Sequence, residues 1–291
     1  MAVPSLNAEE FQYSDTGLVL NNSGTGIPFF DVTGITGLDN APARTVTQDH
    51  DGMDGGYVDS GFETIRTVIL DGTLYASATA METYLDSLKA NYAPSAVNKP
   101  LYFGTDAGVR MVNGKAQGLK YNKDQLRRLG AATAQIQVMC EDPRIYTPAS
   151  VSGTVSLVSG AIAGRGYNKS YSFGYGAAVT QGSLALAIGG NRDTPGILRI
   201  DGAVVNPTII NDTTGDQFVF NLSLAAGEYV TINLANKAVL KNGTQSVRNS
   251  MSITGSWFLM QPGTNFFRLL GTQSPPTPVA QLTATANSAW R

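Results

Sequence analysis

The sequence predicts a mainly β protein of two domains, residues 1–147 and 148–291, and three observations carry that prediction. Apolar side chains alternate with polar ones at a period of two, in short runs separated by turn residues, which is the pattern of strands buried on one face. Charged residues make up only 14% of the chain, against the ~25% usual in soluble domains, and 32 glycines together with many Ser, Thr and Asn take their place. The 291 residues exceed the usual span of a single hydrophobic core, so two domains of roughly 140 residues are expected.

In the first half, Phe11 and Tyr13 flank Gln12, Leu18-Val19-Leu20 follows Gly17, and Phe29-Phe30-Asp31-Val32 follows a Ser23–Gly26 turn, giving three short strands. The alternation then fails. Asp39-Asn40-Ala41-Pro42 and the run from Asp49 to Gly56 predict a polar, glycine-loaded, exposed and mobile loop. Thr64 to Leu70 is an apolar strand, and Asp71-Gly72 predicts a hairpin turn before Thr73-Leu74-Tyr75. One helix follows. Thr79 and Glu82 have the spacing of a capping box, in which hydroxyl and carboxylate each satisfy a free backbone N–H. Met81, Tyr84, Leu85, Leu88 and Tyr92 share one helical face, and Pro94 ends the pattern. Leu101-Tyr102-Phe103 is a strand, and Val109 to Tyr121 reads as a hairpin turning at Asn113-Gly114. Tyr121 to Leu129 reads as strand and loop, with a helical turn as the alternative. Ala132, Ala134, Ile136, Val138 and Cys140 alternate with polar neighbours until Asp142-Pro143, and Tyr146-Thr147-Pro148-Ala149 reads as the linker between domains.

In the second half, strands are expected at Val151 to Val158, Tyr167 to Tyr175, Ala185 to Ile188 and Ile197 to Ile200. The last of these turns at Asp201-Gly202 into Ala203-Val204-Val205. Further runs cover Phe218 to Leu222, Tyr229 to Leu234, Met251 to Ile253, Trp257 to Leu259, Phe266 to Leu270 and Val279 to Thr285. Eight or more short strands at this spacing predict a β-sandwich of jelly-roll type.

Composition excludes several function classes. A net charge of -2 without clustered Lys and Arg is unlike an electrostatic nucleic-acid binder. Cys140 is the only cysteine, so no intrachain disulfide forms. No N-terminal apolar segment marks a signal peptide, and no ~20-residue apolar run spans a bilayer, so a soluble protein made in a cytosol is expected. His50 is the only histidine and has no nucleophile motif beside it, so no catalytic residue is assigned. Asp49, His50, Asp51 and Asp54 match no established metal-ligand spacing and read as a solvated acidic loop; no metal or cofactor is assigned. Tyr171, Phe173 and Tyr175 project from one face of an expected strand. They fit either a carbohydrate-stacking platform or a sandwich core, where aromatic rings bury the most area.

Order and spacing of turn residues add a resemblance. Asn191-x-Asp193 with Pro195, Ile197 to Gly202, Asn206-Pro207-x-Ile209, and Asn211 with Thr213-Thr214-Gly215 come first. Leu224-x-x-Gly227-Glu228-Tyr229-Val230, Trp257-Phe258-Leu259 and Pro262-Gly263-x-Asn265 follow. In this order they resemble the C-terminal domain of distal tail proteins of long-tailed, non-contractile bacteriophages. The single helix between strands and the Cys140-Glu141-Asp142-Pro143 strand end resemble the N-terminal domain of the same family.

The resemblance implies an N-terminal ring-forming domain and a C-terminal galectin-like jelly-roll sandwich. It implies a virion structural protein at the tail tip, assembled in the host cytoplasm and not an enzyme. Its implied partners are five further copies of itself in a hexameric ring, the tail-tube and tail-tip or hub proteins, and a receptor-binding protein, with DNA only in transit through the channel and no membrane insertion. The assembly interface is expected within residues 1–147. A carbohydrate-binding tail module contacting the host cell wall, or a tail-tube subunit, is the alternative. Likeness of fold to galectins does not transfer sugar binding.

Overall fold

The computed structural model describes residues 3–15, 17–22, 26–59, 61–123, 125–157, 182–273 and 279–291. The chain forms two compact units, residues 1–148 with 290–291, and residues 149–289. Among the described residues, no helix is long and apolar enough to cross a membrane.

The N-terminal unit begins with β1 (Phe11–Tyr13), β2 (Val19–Leu20) and β3 (Phe29–Thr36). Two short ribbon pairs follow, β4 (Ala43–Arg44) with β7 (Phe62–Glu63) and β5 (Thr47–Asp49) with β6 (Gly56–Val58). Then come β8 (Arg66–Tyr75), α1 (Met81–Asn91), β9 (Lys99–Thr105), β10 (Gly108–Tyr121), a 3-10 turn (Gln125–Leu129), β11 (Ala131–Cys140) and β12 (Ile145–Ser156). Strand β10 belongs to two antiparallel sheets: residues 108–114 pair with β9, and residues 115–121 pair with β11. One sheet therefore runs β2-β1-β9-β10 and the other β10-β11-β8-β3. Between them lie Phe11, Phe30, Leu70, Leu101, Val112 and Ile136, closed over by Met81, Leu85, Leu88 and Tyr92 of the helix face. Tyr13 stacks on Tyr92 with centroids 5.3 Å apart. Its hydroxyl accepts from Ala116 N–H at 3.0 Å and donates to Gly114 O at 3.2 Å.

Several expectations change here. Asp71-Gly72 is no hairpin turn, because β8 runs through it; a Cβ on Gly72 would lie 2.5 Å from Phe30 Cε1 and 2.2 Å from Asp31 O. Asn113-Gly114 is likewise inside a continuous β10, with Cys140 Sγ and Val138 Cγ1 each 2.7 Å from where a Cβ would stand. Both glycines serve close packing instead of turning the chain. The β9–β10 turn falls at Asp106-Ala107. The capping box does not form: α1 starts after Ala80 without a side-chain cap, Met81 N–H bonds to Ser77 O at 3.0 Å, and Glu82 pairs with Arg127. Tyr146 to Ala149 is not a loop linker, since β12 passes through it as strand, and Gln125–Leu129 takes the helical-turn alternative.

The C-terminal unit is a two-sheet sandwich. Its strands after β12 are β13 (Leu184–Ile188), β14 (Gly196–Asp201), β15 (Val204–Asn211), β16 (Gln217–Phe220) and β17 (Ser223–Leu224). The remainder are β18 (Tyr229–Asn233), β19 (Val239–Lys241), β20 (Gln245–Ser246), β21 (Met251–Thr254), β22 (Gly263–Gln273) and β23 (Gln281–Trp290). One sheet runs β12-β23-β14-β18-β19-β20 and the other β13-β22-β15-β16-β21, with β17 added to β15. The chain changes sheets at Gly202, because β14 pairs with β18 and β23 whereas β15 pairs with β16 and β22. Leu198, Ile200, Val230 and Ile232 from one sheet meet Ile209, Phe218, Phe220 and Phe267 from the other. Trp257 and Leu259 lie in a loop, not the expected strand; Trp257 donates Nε1–H to Leu234 O at 3.0 Å, with the Arg248 guanidinium 4.8 Å from its ring centroid.

Candidate assembly surface

Between β3 and β8 the N-terminal unit extends an arm. Where the sequence predicts a loop, the chain folds into a narrow ribbon: Ala43 and Arg44 pair with Glu63 and Phe62, and Thr47 to Asp49 pair with Val58 to Gly56. His50 N–H bonds to Gly55 O at 3.0 Å and closes the tip, and the His50 ring meets the Tyr57 ring edge-on at 4.3 Å. Along residues 43–62 every described residue except His50 is exposed. Met53, Tyr57, Val58 and Phe62 are 68–71% exposed and Val46 is 61% exposed. A two-stranded ribbon with nothing against either face is marginal on its own. This much exposed apolar surface makes the ribbon a candidate for covering by another protein surface.

The arm is fastened at its root. Arg66, the first residue of β8, is 0% exposed. Its Nε donates to Pro143 O at 2.7 Å, and Nη1 donates to Gly37 O at 2.6 Å and Asp39 O at 2.5 Å. One guanidinium thus ties the end of β3, the entry to the arm and the chain after β11 into one knot. Burial lowers the Arg66 pKa from its ordinary value, and Nη2 is buried without a hydrogen-bond partner. Thr64 adds two bonds to Pro42 O, from its N–H at 2.8 Å and its hydroxyl at 3.1 Å. Glu63 lies 3.8 Å from Arg291.

A second exposed apolar feature of this unit is the 3-10 turn Gln125–Leu129, where Leu129 is 82% and Leu126 is 48% exposed. Arg127 pairs with Glu82 of α1, while Ala76 N–H to Gly130 O at 3.0 Å and Gly130 N–H to Arg127 O at 3.2 Å hold the turn.

Among the described residues no group of three or more His, Cys, Asp or Glu is placed to hold a metal, so Asp49, His50, Asp51 and Asp54 stand as separate exposed or half-buried groups on the arm. Cys140 is buried, and burial pushes its thiol up to about 12, against the lowering effect of Arg66, so it stays an unreactive thiol. Tyr171, Phe173 and Tyr175 lie outside the described residues. What sequence reading missed was the apolar content of the arm: Val46, Tyr57, Val58 and Phe62 obey no strand or helix period that separates them from loop residues.

The turn residues of the C-terminal signature hold its loops in place. Asn211 Oδ1 accepts from Thr213 N–H at 3.0 Å. Glu228 accepts from Ala225 N–H at 2.9 Å and pairs with Lys241 at 2.8 Å, and the two contacts hold its carboxyl below the usual range. Asn265, fully buried, accepts from Gln261 N–H at 2.9 Å and donates to Gln261 O at 2.7 Å.

Residues 189–281 match the family model of the siphovirus-type tail component, C-terminal domain. No curated protein sequence matches the chain. Among solved structures, the chain is similar to the SPP1 Dit protein, described as a paradigm of the hub adsorption apparatus in phages infecting Gram-positive bacteria. The TM-score is 0.65 at 12% identity, over 98% of this chain and 100% of that one. It is also similar to a chain of the phage p2 baseplate in its activated conformation, solved with Sr and with Ca. Each of these has a TM-score of 0.50, at 11% and 12% identity, over 96% of this chain and 98% of the other. At such identities the likeness is one of fold. The sequence of residues 189–281 thus matches the siphovirus-type tail component C-terminal domain, and the whole chain shares the fold of the SPP1 Dit protein.

Proposed function

We propose that this protein is a structural hub component of a phage tail. Six copies form a ring through their N-terminal units, joining the tail tube to the tail tip and leaving a central channel for DNA. The C-terminal sandwich, of galectin-like type, is carried outside the ring, where hub and receptor-binding proteins attach. The particle assembles in the host cytoplasm and the protein stays in the virion tail.

The observation that carries this reading is the arm. It exposes Val46, Met53, Tyr57, Val58 and Phe62 along its length and is fastened to the body at its root, which is the form of a segment that reaches a neighbour. A ring of identical subunits needs a heterologous contact that closes by rotation.

Negative-stain imaging and sedimentation of the purified full-length protein test the reading. Six-membered rings are expected. A folded protein that stays monomeric at millimolar concentration overturns it, and long stacked tubes point instead to a tail-tube subunit.

A further inference from the structure

Two exposed segments of the N-terminal unit have opposite charge and the same apolar character. The arm, residues 43–63, carries Asp49, Asp51, Asp54, Asp59 and Glu63 against Arg44 alone, a formal net charge of −4. Asp49, Asp51 and Asp54 are exposed. Residues 119–129 carry Lys120, Lys123, Arg127 and Arg128 against Asp124, a net charge of +3. Lys120, Lys123 and Arg128 are exposed, and Arg127 is committed to Glu82. On a chain with a net charge of -2, this segregation into two short stretches is not a general property of the surface. Each stretch also presents bare apolar side chains: Met53, Tyr57, Val58 and Phe62 on one, Leu126 and Leu129 on the other. Because both are exposed in the same chain, the chain does not cover one with the other.

From this complementarity we infer that the arm of one copy seats on the Lys120–Leu129 segment of the next, an inference that rests on the ring reading above. The aspartates at the arm tip meet Lys120, Lys123 and Arg128, while Leu129 packs on apolar side chains that the arm exposes. Two different patches on one subunit make a heterologous contact, the kind that propagates around a ring. The fixed root at Arg66 and the pinned turn at Gly130 mean that both partners are presented before they meet, which reduces the ordering cost of association. Complementary charge sets the register and speeds encounter, and its contribution falls as salt rises and the screening length shortens from about 10 Å at 0.1 M.

Charge exchange in the full-length protein tests the contact. One variant carries Asp49→Lys, Asp51→Lys and Asp54→Lys; the other carries Lys120→Glu, Lys123→Glu and Arg128→Glu. Each alone is expected to keep the parental melting temperature and to self-associate at least tenfold more weakly at low salt by sedimentation. Leu129→Ser is expected to weaken association comparably without touching a charge. An equimolar mixture of the two charge variants is expected to reassemble, because reversed arms then meet reversed segments and the unaltered arms and segments meet one another. Parental association by either charge variant, or a mixture of folded variants that stays monomeric, overturns this contact and leaves the ring reading standing. A monomeric parent protein overturns the ring reading, and this contact with it.

Discussion

In the C-terminal unit the long turns are closed by their own side chains. Asn211 caps the 211–215 turn, Glu228 the 225–228 turn, Asn233 accepts from Ala235 N–H at 2.9 Å, and Asn265 clasps both main-chain groups of Gln261. In the arm of the N-terminal unit, the side chains that fasten the chain gather at the root, around Pro42, Thr64 and Arg66, and the tip is closed by the His50 N–H to Gly55 O bond and the His50–Tyr57 ring contact. The first kind of loop completes its chemistry within a few residues, so substitution of the pinning residue is felt locally, in stability. The arm leaves apolar surface open, so changes along it are expected to be felt in association. That separates a loop closed on its own fold from one that leaves apolar surface uncovered.

The root of the arm is where the two behaviours meet, and it gives the largest expected effect on stability. Arg66→Met keeps much of the side-chain volume but strips three carbonyls, those of Gly37, Asp39 and Pro143, of a charged donor. Hydrogen bonds to charged groups contribute about 1.5–3 kcal/mol each and are not additive, so a loss of about 3 kcal/mol is expected in chemical denaturation. Amide exchange at residues 37–42 should quicken along with it. Stability within 0.5 kcal/mol of the parent would mean that the knot is ornamental and that the arm is positioned by something else.

Asn265→Ala sharpens the other side of the comparison. The residue is fully buried and its amide satisfies both Gln261 N–H and Gln261 O. Its removal leaves both main-chain groups without those partners, at a cost of about 1–3 kcal/mol. Self-association should be unchanged at temperatures where the variant is folded. A variant of parental stability that fails to assemble would reverse the roles assigned to the two regions.

How far the sequence reveals each region follows the same division. Strand β11 was legible throughout because its alternation from Ala132 to Cys140 is burial itself, one residue in and one out. The signature turns were legible because Asn211, Glu228 and Asn265 act within four residues of themselves in sequence. Gly72 and Gly114 misled because glycine signals a turn or a close approach equally well, and which one applies depends on Phe30 and Cys140, distant in sequence. Thr79 and Glu82 misled for a similar reason: the Glu82 carboxylate is taken by Arg127, 45 positions away. The arm was legible as exposed but not as a ribbon, since its pairs are two and three residues long and neither face is buried to impose a period. Nor does local pattern disclose that Tyr57 and Phe62 are bare.

The smallest expected effect on stability is therefore the most informative. Tyr57→Ser with Phe62→Ser removes two of the most exposed aromatic side chains, 68% and 71% accessible, from a ribbon that contributes little to either core. Surface changes of this kind are usually within about 0.5 kcal/mol of neutral, so the melting curve should superimpose on the parental one. An internal contact at stake is the edge-on packing of Tyr57 on His50, at an exposed tip. Sedimentation should nevertheless show a protein that associates at least tenfold more weakly, because Tyr and Phe are the types that anchor interfaces when covered. A clear loss of stability would show that the arm packs on its own unit in solution and holds the fold after all. Undiminished assembly with unchanged stability would show that copies meet elsewhere on the N-terminal unit, and the contrast between the two regions would then be one of shape alone.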